Sequence, residues 1–281
     1  MIESLEGRRF GPYPWRVCIE KVAEFVAVTG DEAERWRRHA PPGFAAACLF
    51  VVAPHLLAEP GIAGQGVIHG EQRFYWHRPL AVETPLSITG SVEKVRSRGG
   101  VGFVTFAFSG EDESGAVVSG SSLFLISGEV PAAGNSQEQP ELSPDARGPN
   151  DPLGPRSNSM IRSASRADLV RYAAATHDWN PIHWDHDSAR QAGLPGVVVH
   201  GLLQAAWICS VASTWQGGPS PLLDATFRFR SPLRPGAVAR VDGSVTAGVF
   251  TAKLTGEGGE FLSATVKLNE GSEPSSGEVT G

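Results

Sequence analysis

Residues 71–80 read EQRFYWHRPL, and residues 224–233 read DATFRFRSPL. A phenylalanine, a proline and a leucine fall at the same positions of both stretches. The same register goes on to align a Gly-Ser-Val at residues 90–92 with another at residues 243–245. Agreement in both residue type and order indicates that the chain contains one structural unit twice.

Each repeat is predicted to have a short helix before this stretch. Residues 21–31 (KVAEFVAVTGD) align with residues 168–178 (DLVRYAAATHD), and the apolar residues of the second segment recur at helical spacing. Ser165, followed three residues later by Asp168, is a plausible capping box for the helix start. We therefore predict a helix that ends close to the aspartate in each repeat.

A longer apolar segment follows the short helix in both repeats, at residues 44–57 and 197–213. Both segments are too long for a buried strand and predict a central buried helix. Three or four strands are expected to close each repeat, because Phe227 and Phe229 alternate with arginines. A long antiparallel sheet wrapped around one buried helix is an α+β architecture.

The domain boundaries follow from composition. Residues 129–160 are rich in Pro, Gly, Ser and Asn and almost free of large apolar side chains, which is typical of a linker. Residues 270–281 have a similar composition and predict a flexible tail. The prediction is therefore an N-terminal domain over residues 1–128 and a C-terminal domain over residues 161–269.

The sequence HDWNPIHWDHD, at residues 177–187, carries the candidate chemistry. Asp178 ends the predicted helix, and Asn180-Pro181 favours a turn because proline disfavours helix at the residue before it. A turn lets the side chains of Asp178 and His183 converge, and a carboxylate and an imidazole on one water form a general acid/base pair. The side chain of Asn180 can hold the loop by hydrogen bonds to the backbone.

With His200-Gly201 downstream, this stretch resembles the motif of the MaoC-like dehydratases, or (R)-specific enoyl-CoA hydratases: Asp-x-Asn-Pro-x-His, then His-Gly at a helix start. The first repeat resembles the N-terminal domain that accompanies this module in fused or paired dehydratases. The resemblance implies a double hotdog, with one hotdog fold in each repeat. It also implies reversible hydration of trans-2-enoyl thioesters, or dehydration of (3R)-3-hydroxyacyl thioesters, on coenzyme A or acyl carrier protein. A homodimer is expected for the same reason.

Gly201 is expected in the segment from Val197 that opens the second buried helix. A helix N-terminus presents free N–H groups and the positive end of a dipole. Because glycine has no side chain, a thioester carbonyl can approach this N–H, which would stabilise the enolate oxygen. The residues leave the proton roles open; we prefer Asp178 acting on the water and His183 on the α-proton. This chemistry requires neither a metal nor a redox cofactor.

Four residues are candidates for substrate binding. We place Val199 and His200, the two residues before Gly201, in the substrate site. Arg228 and Arg230 have the charge to meet the phosphates of coenzyme A. An exposed strand face is an equally good interpretation of the two arginines.

The first repeat lacks the catalytic motif. Asp31 is followed by Glu-Ala-Glu-Arg-Trp where Asn-Pro-x-His would stand. Without an imidazole partner, Asp31 is interpreted as a helix-end residue. The N-terminal domain is therefore predicted to be non-catalytic.

Three alternatives remain beside the hydro-lyase hypothesis. The loop at residues 177–187 offers His and Asp ligands that suit zinc or iron, although it lacks the i, i+4 histidine pair of a metal-binding helix. A non-catalytic thioester-binding partner of a dehydratase would not need Asp178 and His183 together. A hotdog thioesterase would use a different carboxylate arrangement.

Composition argues against some partners. The formal net charge is −6, and the longest basic cluster, residues 35–38, is short, so nucleic acid is a poor candidate. The N-terminus lacks the apolar region of a signal peptide, and the longest apolar run is far shorter than a membrane span. We expect a cytoplasmic protein that does not bind membranes.

Overall fold

A computed structural model describes residues 2–128, 148 and 150–271. Over these residues the chain forms ten β-strands and five α-helices. In chain order they are β1 (Arg9–Arg16), α1 (Ile19–Thr29), α2 (Ala45–Leu57), β2 (Gly66–Trp76), β3 (Pro85–Arg98), β4 (Val101–Asp112), β5 (Gly115–Ser127), β6 (Ser159–Arg162), α3 (Arg166–Thr176), α4 (His186–Gln191), α5 (Gly201–Ser213), β7 (Leu222–Phe229), β8 (Ala239–Thr246), β9 (Val249–Gly256) and β10 (Gly259–Leu268).

All ten strands belong to one antiparallel sheet in the order β1-β3-β4-β5-β2-β7-β10-β9-β8-β6. From the outer edge to the centre, the first half has the order β1-β3-β4-β5-β2 and the second half β6-β8-β9-β10-β7. Equivalent strands of the two repeats therefore follow one another in the same order. The two stretches that revealed the repeat, on β2 and β7, pair with each other at the centre, with Glu71 opposite Arg228 and Tyr75 opposite Asp224. The predicted duplication is therefore confirmed, and the two halves share one continuous sheet.

The two central helices are buried against this sheet. Helix α2 packs on β1, β3 and β4, and α5 packs on β7 to β10. The halves also touch directly, because a Cβ added to Gly43 would lie 2.8 Å from the Cβ of Ala206 on α5. Only glycine permits so close an approach. These features confirm the α+β double hotdog.

The structure corrects one predicted boundary and adds two strands. Helix α5 begins at Gly201, because Val198 and Val199 donate their N–H groups to the carbonyls of Ile182 and Leu233, outside the helix. Strand β1 was missed because it contains two prolines, which are tolerated at a sheet edge. Strand β6 was missed because four residues are too few for a periodic pattern.

The predicted linker and tail lie mostly outside the described residues. Residues 129–147, 149 and 272–281 fall there, whereas β6 begins at Ser159, inside the range predicted as linker. The described end of that range packs on β6, since the N–H of Asp151 donates to the carbonyl of Ile161. The division into two domains stays a prediction, with its second boundary moved before Ser159.

Among the described residues, no helix has the length and apolar character needed to cross a membrane.

The capping box at the start of α3 is confirmed. The backbone N–H of Asp168 donates to Ser165 Oγ at 3.2 Å, and the N–H of Ser165 donates to Asp168 Oδ2 at 2.9 Å. We predict that Ser165→Ala lowers the free energy of unfolding by about 1 kcal/mol, the usual cost of losing an N-cap. Urea denaturation measures this, with exposed Ser87→Ala as the control. Equal stability of the two variants would contradict it.

Candidate active site

The loop after α3 brings Asp178 and His183 together. Helix α3 ends at Thr176, and His177 after it adopts a left-handed conformation with φ 65° that turns the chain. Asn180 Oδ1 then accepts a hydrogen bond from the N–H of Ile182 at 3.3 Å, and Pro181 begins a single 3-10 turn that ends at His183. The local sequence alone therefore forms the turn that the Asn-Pro pattern predicts.

Asp178 and His183 are both buried, each with 7 % of its surface exposed. One side-chain oxygen or nitrogen from each of Asp178, His183 and His200 lies within 4.8 Å of those of the other two. His183 Nδ1 lies 2.8 Å from the carbonyl oxygen of Val198. Because a carbonyl oxygen only accepts, Nδ1 carries the proton and Nε2 keeps its lone pair. A single water can therefore contact both the carboxyl group and Nε2.

Burial changes the protonation of both groups. It raises the pKa of Asp178 to about 7, against a weaker opposing effect of the N–H of Asn180. It lowers the pKa of His183 to about 4, although the bond to the Val198 carbonyl opposes this. Desolvation disfavours each charged form. Near neutral pH, His183 is therefore neutral, and Asp178 is divided between its carboxyl and carboxylate forms.

Gly201 is the first residue of α5, and His200 before it makes no side-chain hydrogen bond to the helix end. The first N–H groups of a helix have no partner within the helix. A Cβ added to Gly201 would lie 2.9 Å from the ring of Phe229. The glycine thus allows Phe229 to pack against the helix start, a packing reason that the sequence did not indicate.

Val199 and His200 were predicted as substrate-binding residues, and that role stays a prediction. Both are buried, with 3 % and 0 % exposed. The N–H of Val199 donates to the carbonyl of Leu233 at 2.8 Å, and its carbonyl accepts from Gln204 Nε2 at 3.2 Å. The backbone N–H and carbonyl of Val199 are therefore both hydrogen-bonded within the protein. His200 faces the Asp178–His183 pair.

Arg228 and Arg230 were also predicted to bind substrate, and the structure does not bring them to Gly201. Successive residues of a strand point to opposite faces, and Phe229 between them points at Gly201. Arg228 Nε lies 3.0 Å from Glu71 Oε2, and Arg230 Nε lies 3.7 Å from a carboxylate oxygen of Glu260. These arginines form ion pairs on the outer face of the sheet.

Phe229, Tyr172 and His69 surround this region and were not predicted as site residues. The ring of Phe229 lies 4.9 Å from His69 of the first repeat, and that of Tyr172 lies 4.8 Å from His200. Phe229 was predicted to lie in a strand, and Tyr172 falls in the segment predicted as the second short helix. Their neighbours come from distant parts of the chain, so no local pattern could place them at the site.

Asp178, His183 and His200 are also the group most suited to hold a metal among the described residues. They differ from the predicted alternative set, since Asp185 instead caps α4 by accepting from the N–H of Ser188 at 2.7 Å. The rings of His183 and His200 are stacked, 3.8 Å apart at 25°. Metal ligands instead direct their lone pairs to one point, so this arrangement suits proton transfer better.

Asp31 takes the position of Asp178 in the first repeat, and it makes a contact that the prediction did not include. Ser210 Oγ of α5 donates to Asp31 Oδ2 at 2.7 Å, and burial raises the pKa of Asp31. Arg35 donates to the carbonyls of Ser213 and Gln216 near the end of α5. Asp31 is therefore a contact between the two halves as well as a residue after a helix end.

Comparisons with known proteins agree with this arrangement. A "MaoC like domain" profile matches residues 149–259, and a "FAS1-like, dehydratase domain region" profile matches residues 7–120. The 3-hydroxyacyl-thioester dehydratase X of Mycobacterium tuberculosis is 27% identical over 85% of this chain and 77% of its own length. A UPF0336 protein of Streptomyces griseus is 31% identical over 41% of this chain and 87% of its own length. The crystal structure of HtdX from Mycobacterium tuberculosis has a TM-score of 0.74 at 22% identity, covering 93% of this chain and 100% of HtdX.

Proposed function

Because the chain belongs to the MaoC-like dehydratase family, we propose that it is a hydro-lyase that adds water reversibly to trans-2-enoyl thioesters. In the reverse direction it dehydrates (3R)-3-hydroxyacyl thioesters. The observation that carries the proposal is the buried pair of Asp178 and His183, whose reacting atoms lie within reach of one water. Among the residues that the structure describes, none of the first repeat supplies a matching pair, so catalysis is assigned to the second.

The protonation states support a definite assignment of roles. His183 Nε2 has a free lone pair and takes a proton from the water as its oxygen attacks C3. The carboxyl group of Asp178, with its raised pKa, donates a proton to C2. A proton passing from His183 back to Asp178 resets the pair. This assignment is the reverse of the one that the sequence favoured.

The start of α5 is proposed to hold the thioester oxygen. As the water attacks, negative charge develops on that oxygen, and the N–H of Gly201 at the positive end of the helix dipole stabilises it. Asn180 is proposed to support catalysis by holding the loop, through its bond to the N–H of Ile182. The N–H of Gly201, as a donor to the oxyanion, is expected to lower the barrier by about 3 kcal/mol.

The pH dependence tests the role assignment. We predict that kcat/KM for hydration falls above about pH 7, as Asp178 loses its proton, and below about pH 4, as His183 gains one. A stopped-flow pH profile with a short enoyl-CoA measures both limbs. A rate that rises through pH 7 to an alkaline plateau would contradict it and favour the carboxylate of Asp178 as the base.

The activity itself is tested by mixing the protein with trans-2-enoyl-CoAs of short, medium and long chain. Loss of the ultraviolet absorbance of the conjugated thioester, with a (3R)-hydroxyacyl product, supports the proposal. Release of free coenzyme A thiol instead would identify a thioesterase. No reaction with either CoA-linked or carrier-linked substrates would favour a non-catalytic binding partner.

The acyl carrier and the assembly stay predictions. Coenzyme A and acyl carrier protein both present the thioester that this chemistry needs, and both carriers belong in the assay. Light scattering distinguishes the expected homodimer from a monomer in which the two halves alone form the hotdog pair. A cytoplasmic location stays an expectation from the sequence.

A further inference from the structure

We propose that His200 is a positioning residue that fixes the orientation of the Asp178–His183 pair. The proposal rests on the hydro-lyase function proposed above. His200 has no exposed surface and stands at the N-cap position of α5.

His200 contacts both members of the pair. Its Nε2 lies 3.3 Å from the backbone carbonyl oxygen of Asp178, to which it donates. Its ring is stacked on that of His183, with centroids 3.8 Å apart and planes at 25°. The ring of Tyr172 lies 4.8 Å away and restricts His200 further. One side chain therefore restrains the backbone of the acid and the ring of the base.

The tautomers of the two histidines are linked by this arrangement. His200 Nε2 carries a proton because a carbonyl can only accept, and His183 Nδ1 carries one for the same reason. Stacking keeps the His183 ring in the plane in which Nδ1 reaches the carbonyl of Val198. Its Nε2 then keeps the lone pair that the proposed reaction uses. Loss of the stacking would let the ring rotate and reduce the fraction of His183 in this tautomer.

Neither ordinary role of a residue at this position explains His200. Ser, Thr, Asn and Asp are preferred at an N-cap because their side chains accept from the helix N–H groups, and His200 makes no such bond. His200 is also poorly suited to a purely structural role in the core. Its Nδ1 is buried with no hydrogen-bond partner in the part of the chain that the structure describes. A buried polar atom without a partner costs free energy. The contacts to Asp178 and His183 offer a reason for keeping it.

Two substitutions separate the contacts. His200→Phe keeps an aromatic ring for stacking and loses the donor to Asp178, whereas His200→Gln keeps an N–H near the position of Nε2 and loses the ring. We expect His200→Phe to lower kcat by about 100-fold with KM changed less than about threefold, because a small misplacement of reacting groups has such an effect. We expect the kcat of His200→Gln to be about tenfold higher than that of His200→Phe. Thermal unfolding checks that both variants fold.

Nuclear magnetic resonance of ¹⁵N-histidine provides a readout that does not depend on activity. His183 is assigned by the signal lost in His183→Gln, and its Nδ1–H tautomer is compared in wild type and in each His200 variant. A smaller Nδ1–H fraction in His200→Gln, which lacks the stacked ring, supports the proposal. An unchanged tautomer in both variants, with kcat within about twofold of wild type, overturns it.

The outcomes distinguish the two proposals. Both variants could instead show the same rise in KM, the same loss of kcat and a lower melting temperature. That result would mean a merely structural role for His200 and overturn the positioning role. If wild type hydrates no enoyl thioester, the proposed function fails, while the tautomer comparison still decides whether His200 orients His183.

Discussion

Asp178→Asn and His183→Gln should each lower kcat/KM by about 10²- to 10⁴-fold, the usual contribution of a general acid or base. Asparagine has the shape of aspartate but no proton to give to C2. Glutamine has no basic nitrogen to take one from water. Steady-state hydration of a short enoyl-CoA measures both losses, and circular dichroism confirms the fold.

Two matched controls test whether these losses are specific. Asp31→Asn changes the corresponding aspartate of the first repeat, which bonds to Ser210 and belongs to no acid/base pair. His77→Gln changes an exposed histidine at the end of β2. Both should keep kcat/KM within about threefold of wild type. Losses as large in Asp31→Asn as in Asp178→Asn would place catalysis in both halves and contradict the assignment.

Gly201→Ala should lower kcat/KM by about 100-fold, because the new methyl group meets the ring of Phe229 and shifts the helix start that binds the oxyanion. Overpacking should also lower the free energy of unfolding by about 1–3 kcal/mol. Hydration kinetics and urea denaturation measure the two effects separately.

The double variant Gly201→Ala/Phe229→Leu separates packing from catalysis. Leucine vacates the space that the methyl group needs, so stability should recover. Phe229→Leu alone is the control for the lost ring. Wild-type kcat/KM in Gly201→Ala would show that the thioester oxygen does not bind here, and the oxyanion role of Gly201 would be wrong.

Local pattern was enough for several features of the site. The Ser165–Asp168 capping box and the helix after it depend on neighbours within four residues. The turn through Asn180-Pro181 depends on proline geometry and one short hydrogen bond. Asp178 and His183 are separated by five positions, so the turn alone can bring them together. Their catalytic roles stay a prediction.

Long-range contacts account for the interpretations that the structure changed. Arg228 and Arg230 carry the right charge for phosphate, but the face that they occupy depends on the pairing of β7 with β2, about 150 residues earlier in the chain. The preferred proton roles assumed ordinary pKa values, whereas burial in the folded protein changes the pKa of both groups.

The sequence by itself determined the duplication, the two buried helices and the loop that joins Asp178 to His183, because each is encoded by spacing along a short segment. Only the tertiary structure decided that Phe229 covers Gly201, that Asp31 bonds to α5, and that the ring of His200 stacks on that of His183. These contacts join residues far apart in the chain. Their burial and protonation exist only when the two halves close into one sheet around both helices.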